Sequence, residues 1–360
     1  MSRSLLVLRA LTHEDTGGIV AAATTSLPEQ FGGERNWDYR YVWLRDAALT
    51  LSVLLDHGYI KEAHKWRAWL LRAIAGERDL DERELTSLPG YDGAAPVRVG
   101  NGAVDQYQAD VIGEVMVALH EARQKGLGET KYSWPLQRAL LAFVADNRRR
   151  TDSGIWEMRG AERYFTHSRV MVWAAFDRAV RAVEEYGQDG PVDEWRRYRD
   201  ELRDEIEEHG FDRERNTYVQ SYGSDQLDAS LLVLPQVGYV DAGDPRMLGT
   251  IAAIEQDLMQ DGFVLRYRSE ASGDGLPPGE YPFITCSFWL AEQYAASGQH
   301  DKAVALMDRA LATANDVGLI SEEYDPATGL QAGNTPQALS HLSLVRAADA
   351  IAKGREMTPR

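Results

Sequence analysis

The rhythm of its connections constrains this chain more than any other feature. Apolar residues recur at spacings of three and four through most of it, as in Trp195, Tyr198, Leu202 and Ile206, or Ala303, Leu306 and Ala310. That is the period of an amphipathic helix. With glycine and proline taken as breakers, the pattern predicts helices near 3–11, 43–58, 60–76, 105–125, 133–149, 167–186, 191–208, 227–236, 244–259, 282–297, 299–316 and 336–353. Long connections fall near 12–42, 77–104, 150–166, 209–226, 260–281 and 317–335. Short ones fall at His57 to Ile60, Lys125 to Tyr132, Gly187 to Pro191, Gly238 to Asp244 and Ser297 to His300. In antiparallel helical hairpins alternate connections emerge at opposite ends, so the long loops should share one face. Long loops gathered on a rigid scaffold are where binding and catalytic residues concentrate.

Two architectures satisfy this rhythm, an open solenoid and a closed double ring of six inner and six outer helices. A solenoid calls for a repeat of roughly 34 to 47 residues. No such repeat is present, and the long loops exceed what those repeats tolerate. From Glu194 to Glu208 every residue is acidic or basic except the stripe Trp195, Tyr198, Leu202 and Ile206, the pattern of a helix with one face on a core and the other in water. The reading is therefore an all-α closed barrel, a single domain over 1–360 with strands as minor features. No linker or composition shift divides it.

Charge and composition narrow the function. Thirty-nine basic against 56 acidic residues give 39 − 56 = −17, a field that repels phosphate backbones and anionic lipid, so neither nucleic acid nor membrane is an expected partner. No window approaches the roughly 20 apolar residues of a membrane span. The apolar stretch Leu5 to Leu8 stops at Arg9, too short for a signal peptide. The single cysteine, Cys286, lies in a mostly apolar run and reads as a packed thiol, and the chain as cytoplasmic. None of the eight histidines pairs with another at ligand spacing, so no metal is expected. His167 and His341 read as helix-cap or core residues. No Gly-x-Ser-x-Gly elbow occurs, and Gly100-Asn101-Gly102 falls short of a phosphate loop or dinucleotide fingerprint. No cofactor is expected.

Four patches in the long loops could carry chemistry. Asn36-Trp37-Asp38-Tyr39-Arg40-Tyr41-Val42-Trp43-Leu44-Arg45-Asp46 sets aromatics that could stack on a sugar ring beside Arg–Asp pairs that could orient hydroxyls. The same residues could simply cap a helix and close the core. Gly154-Ile155-Trp156-Glu157-Met158-Arg159-Gly160 places a carboxyl after an indole, where burial would raise its pKa and keep a proton available. Alternatively, Glu157 and Arg159 form a surface ion pair. Ser321-Glu322-Glu323-Tyr324-Asp325-Pro326 gathers carboxylates that would suit a base kept ionised in a polar pocket, or merely a solvated acidic loop. Leu265-Arg266-Tyr267 with Glu280-Tyr281-Pro282-Phe283 could wall a pocket or end a helix.

Taken in order, these motifs resemble glycoside hydrolase family 15, the glucoamylase family, in its bacterial branch with glucodextranase. The likeness runs from about Arg3 to Lys353. It rests on Asn36-Trp-Asp-Tyr-Arg-Tyr-x-Trp-x-Arg-Asp46, Gly154-Ile-Trp-Glu157 and Ser321-Glu-Glu-Tyr-Asp-Pro326, followed by Asn334-x-Pro-Gln-Ala-x-Ser-His341. The resemblance implies an (α/α)6 barrel. It also implies Glu157 as general acid, Glu322 as general base, and Tyr39, Trp43, Arg45 and Asp46 around the non-reducing-end glucose. Arg266 would contact the sugar across the cleaved bond, with Trp156 and Phe283 as aromatic walls. Arg98, Gln108 and Asp110, in the stretch that looks like the bacterial signature, are expected to touch substrate.

Relatives of that family usually add a β-sandwich ahead of the barrel or a starch-binding module after it. Here Arg3 already lies in the first helix and the chain stops just past the last, as in a truncated piece or a natural single-domain enzyme. The expectation is an exo-acting, inverting hydrolase of short, neutral α-glucosides, with isomaltose-type α-1,6 links favoured over α-1,4. The alternatives are a trehalase of the same family or a sugar-binding helical protein without turnover. The sequence does not fix oligomeric state.

Overall fold

A computed structural model describes residues 1–25, 27–73 and 81–357. Its α-helices are α1 Ser2–Ala10, α2 Leu44–Asp56, α3 Ile60–Ala73, α4 Asp110–Gln124, α5 Ser133–Asn147 and α6 Thr166–Tyr186. They continue with α7 Val192–His209, α8 Pro245–Asp257, the single turn α9 Ser269–Ser272, α10 Ile284–Ala296, α11 His300–Leu311 and α12 Ala338–Met357. A 3-10 helix, Ala229–Val237, stands where the sequence predicts an α-helix near 227–236. Pro235 inside it lacks an N–H and cannot continue an α-helical ladder. Asp228 caps its start through Ser230, and Gly238 ends it with φ at 72°. The predicted end of the third helix, 74–76, and the start of the following loop, 77–80, lie outside the described residues.

The inner ring closes on itself: α2 packs on α4, α4 on α6, α6 on the 3-10 helix, that helix on α10, α10 on α12, and α12 back on α2. The others pack outside it, α1 and α11 on α12, α3 on α2, α5 on α4 and α6, α7 on α6, and α8 on the 3-10 helix. Burial separates the rings as the sequence pattern requires. In α10 every residue from Ile284 to Ala295 is buried, whereas α7 buries only Trp195, Tyr198, Leu202 and Ile206. Each of those four side chains removes enough apolar surface from water to contribute roughly 1.5 to 3 kcal/mol.

Four short antiparallel hairpins trim the long loops: Arg83–Glu84 with Arg98–Val99, Phe211–Asp212 with Thr217–Tyr218, Met259–Gln260 with Phe263–Val264, and Glu323–Asp325 with Leu330–Ala332. Among the described residues no helix is long and apolar enough to cross a membrane. Cys286 is fully buried and its thiol is pushed well up by that burial. His341 is a core residue bonded to Ser4 and to the Ile320 amide. His167 is a buried residue of α6.

Candidate active site

Glu157 owes its position to a tight turn with a carboxylate at its base. Asp152 accepts hydrogen bonds from the Ala109 amide at 3.1 Å, the Gly154 amide at 3.1 Å and the Ser168 hydroxyl at 2.7 Å. Gly154 has φ 69°, and a Cβ there would sit 2.9 Å from the Phe165 ring, so the turn needs glycine at that point. The chain then swings through Glu157 itself at φ 57°. A left-handed backbone costs a non-glycine residue on the order of 1 kcal/mol and persists only where surrounding contacts impose it. The Trp43 indole N–H and the Arg45 guanidinium, at 3.4 Å, both donate to Glu157 Oε1. Burial raises the Glu157 carboxyl above the ordinary glutamate range, while Arg45 and Trp43 oppose that shift. Arg159 pairs with Glu82 at 2.6 Å and not with Glu157, so the surface-pair reading of this patch does not hold.

Glu322 and Glu323 part company because the chain is extended there. Adjacent residues of an extended segment face opposite sides, and the strand begins at Glu323. Both are buried, at 1% and 0% exposure, which rules out a solvated loop. Glu323 faces away from the cavity: its Oε2 accepts from the Tyr281 amide at 3.0 Å and its Oε1 lies 3.7 Å from Arg266. Glu322 lines the cavity and leaves Oε2 unpaired. Gly333, at φ 71°, lets the backbone pass close to it, since a Cβ at 333 would meet Glu322 Cβ at 2.6 Å. The pocket around Glu322 holds polar groups that act on its ionisation in opposite directions. Burial and the neighbouring Glu29 push its carboxyl well up, and Arg266, Tyr39 and the Asn334 amide pull the other way.

Arg266 ties the site together. It donates to Glu280 at 2.7 Å and to Glu29 at 3.1 Å, and its guanidinium carbon lies 5.5 Å from the Trp156 ring centroid and 5.2 Å from that of Phe283. Trp156 is fixed in turn by its indole N–H donating to Asp228 at 2.9 Å. Glu29, Glu280 and Glu323 bring carboxylate oxygens within 4.8 Å of one another, spacing that would suit a cation. Arg266 already supplies that positive charge.

Two chambers meet here. The inner one is lined by Tyr39, Trp43, Arg45, Asp46, Trp156, Glu157, Arg266, Phe283 and Glu322. An outer one is lined by Glu29, Arg35, Trp37, Gln106, Arg159 and Asp274, among others. Tyr39, Trp156, Glu157 and Arg266 belong to both, so Glu157 stands at the junction while Glu322 is confined to the inner chamber. The first patch does both of the things its sequence allows: Trp43, the N-cap of α2, makes no side-chain cap bond and lines the chamber, while Asp46 sits in the first turn of α2 and Asn36, Trp37 and Asp38 are buried.

Arg98, Gln108 and Asp110, expected beside the substrate, line neither chamber. Gln108 and Asp110 stand behind Arg45, each 3.3 Å from its Nη1. Arg98 donates to the carbonyl of Glu34 at 2.8 Å and stacks on Trp37 at 4.5 Å. Sequence reasoning missed Glu29, Arg35, Gln106 and Asp274; Arg35 adjoins the Asn36–Asp46 motif and Gln106 lies two residues before Gln108, and neither carries a pattern of its own that marks it.

The sequence pattern of glycosyl hydrolases family 15 matches residues 1–349. Over 359 residues the chain is 40% identical to a trehalase of Thermoplasma volcanium, covering 96% of this chain and 57% of that protein. Over 374 residues it is 39% identical to a trehalase of Mycobacterium tuberculosis, covering 99% and 55%. The chain thus spans little more than half the length of these relatives. A glucoamylase structure from Saccharomycopsis fibuligera superposes with a TM-score of 0.75 at 14% identity, covering 99% of this chain and 94% of that one, a likeness of fold.

Proposed function

The chain belongs to glycosyl hydrolases family 15, and from that premise we propose that it hydrolyses a short α-glucoside from the non-reducing end, with trehalose, the α,α-1,1-linked glucose disaccharide, as substrate. The observation that carries this reading is the pair of chambers meeting at Glu157. A disaccharide laid across the junction puts one ring in each chamber and its glycosidic oxygen beside the one carboxyl that both share. Isomaltose, favoured from the sequence, gives way here to trehalose, because relatives at 39% and 40% identity bear the name trehalase. The single catalytic domain over residues 1–360 is part of the same proposal.

The chemistry follows from the placement. Glu157, whose carboxyl burial raises above the ordinary glutamate range, gives its proton when protonated to the glycosidic oxygen as the bond to C1 of the inner glucose breaks. Glu322, when ionised, takes a proton from a water whose oxygen bonds to that C1 from the opposite face, so the centre inverts. Such a pair works with about 6.5 to 9.5 Å between carboxyls, which leaves room for the water. Arg45 and Asp46 line the inner chamber and would orient the hydroxyls of the reacting ring, where binding is worth most if it tightens in the transition state.

The test is glucose release from trehalose, isomaltose and maltose in parallel. Trehalose should be cleaved fastest. Faster release from isomaltose would restore the α-1,6 reading, and no release from any of the three would leave a sugar-binding protein.

A further inference from the structure

Gln106 lies in the outer chamber and touches the turn that carries the proton donor. It follows the 3-10 turn Gly102–Asp105, which is capped by the Asn101 side chain accepting from the Ala103 amide at 2.8 Å. Its Nε2 donates to the backbone carbonyls of Glu157 and Met158, both at 3.2 Å. Two carbonyl oxygens can face only the amino side of a carboxamide, so this network fixes which end is nitrogen. The other end, Oε1, is buried from solvent and has no hydrogen-bond partner.

A buried acceptor without a donor is unfavourable, and here it belongs to a residue lining the outer chamber. Arg35, on the same chamber and 1% exposed, leaves its Nε likewise unpaired while its other nitrogens bind Asp274 at 2.6 Å and Glu280 at 3.1 Å. One unpaired acceptor and one unpaired donor, both shielded from solvent on residues of the chamber wall, would each be satisfied by a sugar hydroxyl that the side chain turns to meet.

Resting on the disaccharide reading above, we propose that Gln106 accepts a hydrogen bond from a hydroxyl of the outer glucose and, through its amide N–H groups, positions the Glu157 turn, so that filling the outer chamber and placing the proton donor are coupled. Glu157 keeps its left-handed backbone against a steric cost, and Gln106 holds two consecutive carbonyls of that turn. A sugar that engages Oε1 therefore braces the donor at the moment its oxygen needs the proton. A substrate without an outer sugar gains nothing from Gln106.

The experiment compares trehalose with α-glucosyl fluoride, which fills only the inner chamber. Its C–F bond breaks as water adds at C1, giving glucose and HF, with little need of the proton donor. Gln106→Met should lower kcat/KM on trehalose roughly 10-fold to 100-fold, the worth of a hydrogen bond to a buried polar group, and on the fluoride by no more than about threefold. Equal losses on both substrates, or none on trehalose, would overturn the proposal. Gln106→Glu supplies an independent readout should the methionine variant fold poorly. A carboxylate against the Glu157 turn favours the protonated donor, so the alkaline limb of kcat/KM on trehalose should move to higher pH. An unmoved limb would show that residue 106 does not contact the donor's turn. Should the wild-type enzyme cleave maltose or isomaltose but not trehalose, the trehalose reading fails, and the same comparison made on the cleaved disaccharide still decides the role of Gln106.

Discussion

The inner chamber takes part of its wall from the starts of barrel helices and their caps and the rest from loops, whereas the outer one is walled by loops that lean on one another. Trp43, Arg45 and Asp46 stand at the start of α2, Phe283 caps α10, and Leu339 belongs to α12. Around the outer chamber, Glu29, Arg35, Trp37, Gln106, Arg159 and Asp274 all lie outside barrel helices. They are stitched by Arg35 to Asp274 at 2.6 Å, Arg159 to Glu82 at 2.6 Å, and the Trp37 ring held between Arg98 and Arg159, each at 4.5 Å. Trp43, Arg45 and Asp46 at the start of α2 inherit the rigidity of a packed core, and the bonds from Trp43 and Arg45 carry it to the loop that holds Glu157. The outer loops can change without disturbing that core, so under the proposed function variants of the two chambers should have separable effects on substrate choice and on bond cleavage.

That separation breaks if variants of the two chambers behave alike. Glu322→Gln should cost roughly 10²-fold to 10⁴-fold in turnover on both trehalose and α-glucosyl fluoride, because both need the attacking water activated. Glu323→Gln should cost far less, and the reverse order would reassign the base. Glu157→Gln should lose a similar 10²-fold to 10⁴-fold on trehalose and much less on the fluoride, whose leaving group needs little protonation. Arg159→Met, which loosens the Trp37 wall, should raise KM for trehalose roughly threefold to tenfold, the scale of a partly exposed cation–π contact, and leave fluoride hydrolysis unchanged. The smallest effect is a shift in pH. Activity is lost on acidification as Glu322 takes up its proton, and since Glu29 holds that pKa up, Glu29→Gln should move the acidic limb to lower pH. A limb that stays put, or moves up, would show that another group sets it.

Much of the inner chamber was legible because one contiguous segment, Asn36 to Asp46, supplies several of its walls, and a run of aromatics and charges at a helix start is visible in sequence. Of the outer chamber, Trp37, Tyr39, Trp156, Glu157, Arg159 and Arg266 belong to the same motifs, but the rest was not legible, for a physical reason. Glu29, Arg35, Gln106 and Asp274 come from three separate stretches, and each acquires meaning only through a tertiary contact, such as Tyr39 donating to Glu29 at 3.2 Å. The double ring could be read from the charge stripe of α7 and the alternation of loop lengths, both consequences of which face meets water. The α-helical assignment of 227–236 failed because Pro235 removes a backbone donor that periodicity alone does not register. Gln108 and Asp110 were expected to touch sugar, yet they support Arg45 from behind, and spacing along the chain does not distinguish a residue facing a cavity from one bracing it.

The proposed reaction is an inverting attack in the inner chamber with the outer glucose as leaving group, and the anomers of the two products test it most directly. Trehalose cleaved this way yields one glucose inverted to β at the attacked carbon and one that leaves with its α configuration intact. Proton NMR within minutes of mixing, before mutarotation, should therefore show α- and β-glucose in equal amounts. α-Glucose alone would mean a retaining route through a covalent intermediate, with carboxyls about 5 Å apart, and would contradict the roles given to Glu157 and Glu322.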